Sequence, residues 1–241
     1  MRIYSKTDVG AVRKNNQDAF AAGEFKNGMA WCVVCDGMGG ANGGEIAGKT
    51  AVKSITDFIF SSYHSGMSEN SIRNMLISAV ETANISVYDI AQKQPELKGM
   101  GTTVVAVVID NEKVHIVHAG DSRMYIVRSG AAMQITRDHS IVQNMVESGK
   151  LTAEEAKKHP NKNVITRALG IFENIDTDYD CLSLIDGDIV LVCTDGLTNY
   201  VDIPTIETIL ADGQLSTAPD RLVEAAIEKG GGDNITVVLL S

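Results

Sequence analysis

The stretch Ala30-Trp-Cys-Val-Val-Cys-Asp36-Gly-Met-Gly-Gly40 decides the fold of this 241-residue chain. Its unbroken apolar run predicts a buried strand over Ala30–Asp36, and the Gly-rich segment Gly37–Gly44 predicts a loop after it. A strand delivers its last side chain to a fixed place, and a following glycine lets the backbone turn tightly beside it. The stretch therefore presents the Asp36 carboxylate at the end of a strand.

Five aspartates share this setting, in which an apolar run or a Gly-rich turn leads to a carboxylate. They are Asp18, Asp36, Asp121, Asp195 and Asp233. Carboxylates that converge at strand ends repel one another unless a cation lies between them, and their hard oxygens suit Mg²⁺ or Mn²⁺. We therefore ask whether the five turns form one metal site. Asp-Gly alone is a common turn dipeptide, so Asp186-Gly187 and Asp212-Gly213 are expected to be turns only.

Composition and charge exclude several classes of protein. With 21 Lys and Arg against 31 Asp and Glu, the formal net charge is −10, which argues against a nucleic acid or an anionic membrane as partner. The chain has neither an apolar stretch of bilayer length nor a signal-like N-terminus, so we expect a cytoplasmic protein. The four cysteines lie in strand-like runs and are expected to be reduced core residues. Cys32 and Cys35 have CxxC spacing, but residues three apart on a strand face opposite ways.

The order of predicted elements indicates the architecture. Strands are expected near Ile3–Val9, Ala19–Glu24, Ala30–Asp36, Thr102–Ile109, Lys113–Ala119, Met124–Val127, Ala132–Ile135, Thr177–Leu182, Ile189–Cys193 and Asn234–Leu240. Helices are expected near Glu45–Phe60, Ser71–Lys93, Ile203–Leu210 and Ala218–Lys229. Because strands cluster and helices come in pairs, the pattern favours an α+β fold in which helix pairs cover antiparallel sheets. Without a linker or repeat, we expect a single domain over residues 1–241.

A polar segment at about residues 138–170 interrupts the strands and predicts a surface insertion with short helices. It contains His139 and His159, for which solvent exposure is the default expectation. His115 and His118, three residues apart on a predicted strand, face opposite ways and are poor joint ligands. The histidine spacing therefore indicates no catalytic dyad or triad.

One motif points to a different class of protein. Gly43–Thr50 reads GGEIAGKT, which matches the phosphate-loop expression GxxxxGK[ST]. A phosphate loop follows directly on a strand and opens a helix at its lysine. Here the predicted strand ends at Asp36, and the helix is already under way at Glu45. A P-loop nucleotide-binding protein therefore stays only as an alternative.

Taken in order, the segments resemble the metal-dependent serine/threonine protein phosphatases of the PP2C (PPM) family, in its bacterial branch. The resemblance runs from the N-terminus to the last strand. It is carried by GAVRKNNQDAF, VVCDGMGG, GTT, AGDSRMY, RDHS, TRALG, CTDGLTN and GGGDNITVV. It implies a four-layer αββα sandwich of two antiparallel β-sheets flanked by helix pairs.

The resemblance also implies a metal site of two Mn²⁺ or Mg²⁺ ions and a third, weaker one. Asp36 matches the residue that bridges the two core ions, and the Gly37 carbonyl would bind one of them. Asp195 and Asp233 would complete the other ion. Asp121 matches the position that helps to hold the third ion in bacterial members.

Other matched residues surround that centre. Asp18 would hold metal-bound waters, and Arg13 would grip the substrate phosphate. Residues 138–170 correspond to the family's flap, which borders the site. Two positions depart from relatives: Gln17 stands where some have an acidic residue, and Met38 where eukaryotic members have a histidine proposed as general acid. Methionine donates no proton, so the source of the leaving-group proton stays open.

The implied reaction is hydrolysis of phosphoserine and phosphothreonine in proteins by attack of a metal-bridging hydroxide. Phosphorylated proteins would be the substrates, and a bacterial Ser/Thr protein kinase the activity that it reverses. We expect a monomer that binds neither nucleic acid nor membrane. An inactive phosphoprotein-binding module is the other alternative, although every expected metal aspartate is present.

Overall fold

The computed structural model of the chain describes residues 1–25 and 29–241, with the backbone alone at residues 41 and 42. Its strands lie close to the predicted ones. They are β1 (Ile3–Asp8), β2 (Asp18–Glu24), β3 (Ala30–Met38), β4 (Gly101–Thr102), β5 (Val104–Asp110), β6 (Lys113–Ala119), β7 (Arg123–Arg128), β8 (Ala131–Gln134), β9 (Asp178–Ser183), β10 (Ile189–Cys193) and β11 (Ile235–Leu240).

The α-helices follow the predicted pairing, the 138–170 segment contains two short helices as predicted, and one further short helix begins at Asp195. They are α1 (Gly40–Ser62), α2 (Glu69–Lys93), α3 (Ile141–Glu147), α4 (Ala153–Lys158), α5 (Asp195–Thr198), α6 (Ile203–Ala211) and α7 (Ala218–Glu228). Ser68 caps α2 by accepting a hydrogen bond from the Ser71 N–H (3.2 Å). The face of α2 predicted from its apolar spacing, Ile72, Leu76, Val80 and Val87, is buried. None of the helices in the described ranges has the length and apolar character that crossing a membrane requires.

Two antiparallel sheets form the centre of the molecule. One has the order β1-β11-β10-β7-β8, and the other β2-β3-β5-β6-β9 with β4 paired to β3. The inner faces pack through buried residues such as Cys32, Val107, Met124 and Val192. Because β11 lies between β1 and β10, the two ends of the chain meet in one sheet.

Helix pairs cover both outer faces. Helices α1 and α2 pack on the sheet that contains β3, around Cys35, Ile55 and Leu76. Helices α6 and α7 pack on the other sheet, around Leu191 and Leu222. The predicted α+β, four-layer αββα sandwich is confirmed, and so are the opposite directions of Cys32 and Cys35.

The Gly-rich loop predicted at Gly37–Gly44 is wrong in extent. Strand β3 continues through Gly37 and Met38, because these residues pair with Thr102 and Gly101 of β4. Helix α1 then begins at Gly40. Only Gly39 separates the two elements, and its φ of 123° is a conformation that favours glycine.

The segment predicted as an insertion contains α3 and α4 and is closed at its base. His139 donates its N–H to the Gly120 carbonyl (2.8 Å), and Thr166 donates its N–H to the His139 carbonyl (2.8 Å). An isolated bridge also joins Ser140 to Ile165. The segment thus leaves the sandwich and returns at nearly the same place, beside the loop that carries Asp121.

Candidate active site

A cavity of about 580 Å³ opens where β3, β10 and β11 meet at one end of the sandwich. Four of the five singled-out aspartates line it. They are Asp36, Asp121, Asp195 and Asp233. Asp18, 8% exposed, adjoins this group, and Arg13 and Gly37 belong to the lining. The structure therefore brings together every predicted site residue.

The first two carboxylates are placed by strand pairing. Asp18 and Asp36 are direct partners in the antiparallel β2–β3 ladder, so their side chains lie on the same face. The Asp36 backbone is fixed on its other side by Thr103, which accepts the Asp36 N–H at Oγ1 (2.9 Å) and donates its own N–H to the Asp36 carbonyl (2.9 Å). Thr102 Oγ1 donates to the same carbonyl (2.9 Å).

The other two carboxylates are brought together by a close backbone approach. A Cβ at Gly196 would lie 1.8 Å from the Asn234 carbonyl oxygen, so only glycine fits there. This contact sets Asp195, the first residue of α5, beside Asp233. The glycine of this Asp-Gly pair therefore serves close packing; its φ is not positive.

Gly37 also lies at a close backbone approach that leaves no room for a side chain. A Cβ there would lie 2.0 Å from the Gly44 carbonyl oxygen of α1. The predicted reason for this glycine, a tight turn, is wrong, because the residue is part of β3. Its absent side chain lets α1 begin directly against the carboxylate cluster.

Asp18 is held by two threonines. Thr194 Oγ1 and Thr236 Oγ1 donate to Asp18 Oδ2 at 2.9 Å and 2.7 Å. Its other oxygen, Oδ1, is buried and has no hydrogen-bond partner, and the same is true of Asp195 Oδ1. A buried carboxylate oxygen without a partner carries a desolvation cost.

The cluster is electrostatically unfavourable by itself. Burial raises the pKa of Asp18 to about 7 and that of Asp121 to about 8. Burial, followed by repulsion from Asp18 and Asp195, raises the pKa of Asp36 well above its ordinary value. Burial and the Asp233 carboxylate also raise the pKa of Asp195.

This arrangement fits a divalent cation. The donors are carboxylate oxygens, the ligands that Mg²⁺ and Mn²⁺ prefer, and two of them are buried without a partner. A cation among them would compensate both the repulsion and the unpaired oxygens. Among the described residues that line the cavity, none is a cysteine or a histidine.

Arg13 reaches the same cavity from the N-terminal loop. Its Nη2 donates to Asp233 Oδ2 at 2.8 Å, and its side chain is 48% exposed. Asn234 organises that loop, because its Nδ2 donates to the Val9 and Asn15 carbonyls (3.0 Å each) and its Oδ1 accepts the Gln17 N–H (2.8 Å). The guanidinium thus lies at the rim of the cavity, where some of its N–H donors remain accessible to solvent.

Asp121 is placed through its neighbours. Ser122 Oγ lies 2.7 Å from Thr103 Oγ1, which ties this loop to the Asp36 backbone. His139 Nδ1 accepts the Gly120 N–H at 3.2 Å and so fixes the residue before Asp121. The expected solvent exposure of His139 is wrong: the ring is buried and stacks on His118 with ring centroids 4.8 Å apart.

Three side chains outside the cavity also have metal-like spacing. His118, His139 and Asp178 offer ligand atoms within 4.8 Å of one another. However, Arg167 Nη1 lies 2.7 Å from Asp178 Oδ1 and 3.1 Å from His139 Nε2. Because the guanidinium already supplies the positive charge, this group is a structural network at the base of the 138–170 segment.

Several supporting residues were given no role in the sequence analysis. They are Thr103, Thr194, Thr236, Asn234 and Asn199, whose Nδ2 donates to Asp195 Oδ2 at 2.8 Å. Each lies within five residues of an aspartate, or, for Thr103, in the GTT segment. The sequence does show hydroxyl and amide side chains close to the aspartates, and this proximity could have marked them as candidates. Only the fold shows which of them form hydrogen bonds with the aspartates or with the backbone beside them.

The structure argues against the alternative that Gly43–Thr50 is a nucleotide-binding phosphate loop. Gly43–Thr50 lies wholly inside α1, so its backbone N–H groups beyond the first turn serve the helix. Lys49 pairs with Glu45 one turn away at 2.6 Å. The segment therefore offers no cradle for a nucleotide phosphate.

Comparison with known sequences identifies the family. The sequence model of a family described as protein phosphatase 2C matches residues 11–226. The chain belongs to the protein phosphatase 2C family. The resemblance stated from the motifs is thereby confirmed, and membership makes the chain a protein phosphatase.

Relatives of this phosphatase match it along nearly its full length. The protein phosphatase PhpP of Streptococcus pneumoniae is 37% identical over 244 aligned positions, which cover 100% of this chain and 97% of that protein. The serine/threonine phosphatase of S. agalactiae has a solved structure with a TM-score of 0.92 and 38% identity, covering 99% and 98% of the two chains. The catalytic domain of the serine threonine protein phosphatase PstP, solved in complex with two manganese ions, matches with a TM-score of 0.87 and 33% identity over 99% and 96%.

Proposed function

We propose that this protein phosphatase 2C enzyme hydrolyses phosphoserine and phosphothreonine in proteins, with two Mn²⁺ or Mg²⁺ ions and a weaker third in the carboxylate cavity. One observation carries the proposal: four strand-end aspartates line one cavity, and two buried carboxylate oxygens in the cluster have no partner. The PstP structure with two manganese ions supports the choice of metal.

The chain supplies a distinct group for each task. Asp36 would bridge the two core ions, the Gly37 carbonyl would bind one, and Asp195 and Asp233 the other. Asp121, which also lines the cavity, would hold the third ion. Bound there, the ions would lower the pKa of a water molecule and so supply the nucleophile for attack at phosphorus.

Asp18 would act on the metal ions through water molecules and not as a direct ligand. The Thr194 and Thr236 hydroxyls hold its Oδ2, and its Oδ1 is buried without a hydrogen-bond partner. This carboxylate would order the waters of the metal site. These two hydroxyls orient the carboxylate in the way that outer groups orient metal ligands in general.

Arg13 would bind the substrate phosphate. Its planar guanidinium can grip two phosphate oxygens, and it stands at the cavity rim next to Asp233. Met38 also lines the cavity and has no proton to donate. The leaving-group proton must therefore come from a source other than this position.

We also propose the wider setting of the enzyme. Residues 138–170 serve as a flap beside the cavity, within a single domain over 1–241, and the enzyme acts as a monomer. Four free cysteines fit a reducing cytoplasm. A Ser/Thr protein kinase would add the phosphates that this enzyme removes, so phosphorylated proteins, including that kinase, would be its substrates.

Metal removal and a point variant test the proposal. Purified enzyme should hydrolyse p-nitrophenyl phosphate with Mn²⁺ and lose this activity in EDTA. Arg13→Ala should raise KM by about tenfold with a smaller change in kcat, because it removes a phosphate contact. Full activity after exhaustive EDTA treatment would exclude the metal mechanism, and an unchanged KM in Arg13→Ala would exclude its phosphate role.

A further inference from the structure

A second cavity adjoins the catalytic one. It measures about 580 Å³ and is lined by Met38, residues 163–168 and residues 171–176 except Glu173. We call it the flap groove. Met38, Asn163 and Ile165 line both cavities, so the flap groove opens directly from the place where the phosphate would be bound.

The walls of the flap groove are largely apolar. The apolar lining consists of Met38, Val164, Ile165, Ala168, Ile171, Phe172 and Ile175. Phe172 is 70% exposed and Val164 is 43% exposed, and both stand among the large apolar side chains that the described residues leave in solvent. Large apolar side chains that share one concave surface mark a binding site more often than scattered ones do.

The groove is held in place by the sandwich beneath it. The buried Asn84 of α2 donates Nδ2 to the carbonyls of Phe172 (3.0 Å) and Glu173 (2.8 Å), and its Oδ1 accepts the Gly170 N–H (2.8 Å). On the other side, Leu169 exchanges two backbone hydrogen bonds with Thr102 of β4 (2.9 and 3.1 Å). The middle of this wall, residues 169–173, is therefore tied both to helix α2 and to β4, the strand that pairs with Met38.

A phosphoprotein substrate must lay the residues beside its phosphorylated side chain across the cavity rim. An extended peptide advances about 3.3 Å per residue, so a neighbour of the phosphorylated residue reaches a groove that shares three lining residues with the cavity. Seven of the twelve lining residues are apolar, and Arg167 and Asp176 are the charged ones among them. An apolar substrate side chain matches this chemistry, whereas an acidic or basic one would be desolvated against Phe172 and Val164.

We propose that the flap groove is a specificity subsite, which binds an apolar side chain of the substrate one to three residues from the phosphoserine or phosphothreonine. The proposal rests on the proposed phosphatase function. Phe172 and Val164 are the selecting residues, and Asn84 is a positioning residue that presents Phe172.

The test uses pairs of phosphothreonine peptides in which one flanking residue is either Leu or Ser. Successive pairs place that residue at each of the three positions before and after the phosphothreonine. For at least one position, the wild-type enzyme should prefer the Leu peptide by about tenfold in kcat/KM. Phe172→Ser should reduce that ratio toward one, and Phe172→Leu should keep it. Ile185→Ser is the matched control, because Ile185 is also exposed (57%) but lies outside the groove, and it should leave the ratio unchanged.

The outcomes separate the two proposals. Hydrolysis of p-nitrophenyl phosphate by the wild-type enzyme reports the phosphatase function alone, and its absence with Mn²⁺ would remove both proposals. Hydrolysis of both peptides at equal rates at every position scanned, or a Leu preference that Phe172→Ser leaves intact, would overturn the subsite alone. If Phe172→Ser instead turned a dimer into a monomer in sedimentation and left the ratio unchanged, the groove would be a self-association surface and the subsite would be wrong.

Discussion

Asp18 and Asp36 face each other as a directly paired couple at the end of the β2–β3 ladder. Two carboxylates in this relationship repel each other, and like charges directly opposite across strands destabilise a sheet. The sandwich tolerates the pair because it lies at the cavity, where a cation can be bound. This part of the molecule is thus built for the metal-loaded state at the expense of the metal-free one.

Replacing one member of that pair should separate stability from activity. Burial and repulsion from Asp18 and Asp195 disfavour the ionised form of Asp36 in the folded protein. Asp36→Asn removes this ionisable group, so the metal-free variant should be more stable than the wild type by about 1 kcal/mol. The same change removes the carboxylate that we propose bridges the two core ions, so turnover should be nearly abolished. Urea unfolding in EDTA and p-nitrophenyl phosphate hydrolysis with Mn²⁺ measure the two effects. A variant that is both less stable without metal and still active would contradict this account.

The stability of the metal-free protein should depend on pH in a defined direction. The folded pKa values of Asp18, about 7, and Asp121, about 8, exceed the ordinary value of 3.8 because of burial. Between these values the folded state keeps protons that the unfolded state has released, so the free energy of unfolding falls as pH rises from about 4 to about 8. Urea unfolding in EDTA at about pH 5 and about pH 8 tests this.

Asp18→Asn is the control for that pH dependence, because other groups titrate over the same range. The fall in stability should be smaller in the variant, and Mn²⁺ should flatten it in the wild type. An identical pH dependence in the two metal-free proteins would mean that Asp18 does not titrate as described.

The threonine pair that holds Asp18 should affect metal affinity. Thr236→Val keeps the shape of the side chain but removes the 2.7 Å hydrogen bond to Asp18 Oδ2. Outer-shell changes of this kind cost about tenfold or more in metal affinity. Calorimetric titration with Mn²⁺ gives the affinity directly. The control is Thr208→Val, because the Thr208 hydroxyl donates to the Pro204 carbonyl within α6, away from the cavity lining; this variant should bind Mn²⁺ like the wild type.

The close approach at Gly196 gives a steric prediction. Gly196→Ala places a methyl group against the Asn234 carbonyl and must push α5 away from β11, at a cost of about 1–3 kcal/mol. Asp195 and Asp233 would then move apart, so Mn²⁺ affinity should fall together with thermal stability. Gly213→Asn serves as the control, because that turn has open space and asparagine tolerates its φ of 76°. Unchanged Mn²⁺ binding in Gly196→Ala would show that the contact does not set the metal site.

Removing the lysine of the phosphate-loop match should have no catalytic effect. Lys49→Ala deletes an exposed ion pair with Glu45 inside α1, worth about 0.5 kcal/mol. Phosphatase activity should stay within about twofold of the wild type, since the residue is outside the cavity. Tight ATP binding in the wild type that Lys49→Ala abolishes would restore the nucleotide alternative.

The sequence predicted the carboxylates better than the backbone around them. An apolar run that ends in aspartate is visible as a pattern, and so Asp36 and Asp195 could be inferred. Clustered strands and paired helices indicated antiparallel sheets under helix pairs, and the family resemblance added the four-layer arrangement. The roles of Gly37 and Gly196 could not be inferred from the sequence. The carbonyl oxygens that exclude a side chain at these positions belong to Gly44 and Asn234, which are in other parts of the fold. Buried His139 was missed for a similar reason: its polar neighbours in sequence say nothing about the His118 ring that covers it.

The pairing of the first and last strands has a consequence for biosynthesis. Asp233 and β11 come after the other four aspartates of the site in the sequence, and β11 is the strand that joins β1 to β10. A nascent chain therefore carries Asp18, Asp36, Asp121 and Asp195 before β11 can join β1 to β10 and before Asp233 can complete the cavity. Catalysis should begin only when synthesis has passed residue 240, so an unfinished chain on the ribosome cannot strip phosphate from the proteins around it.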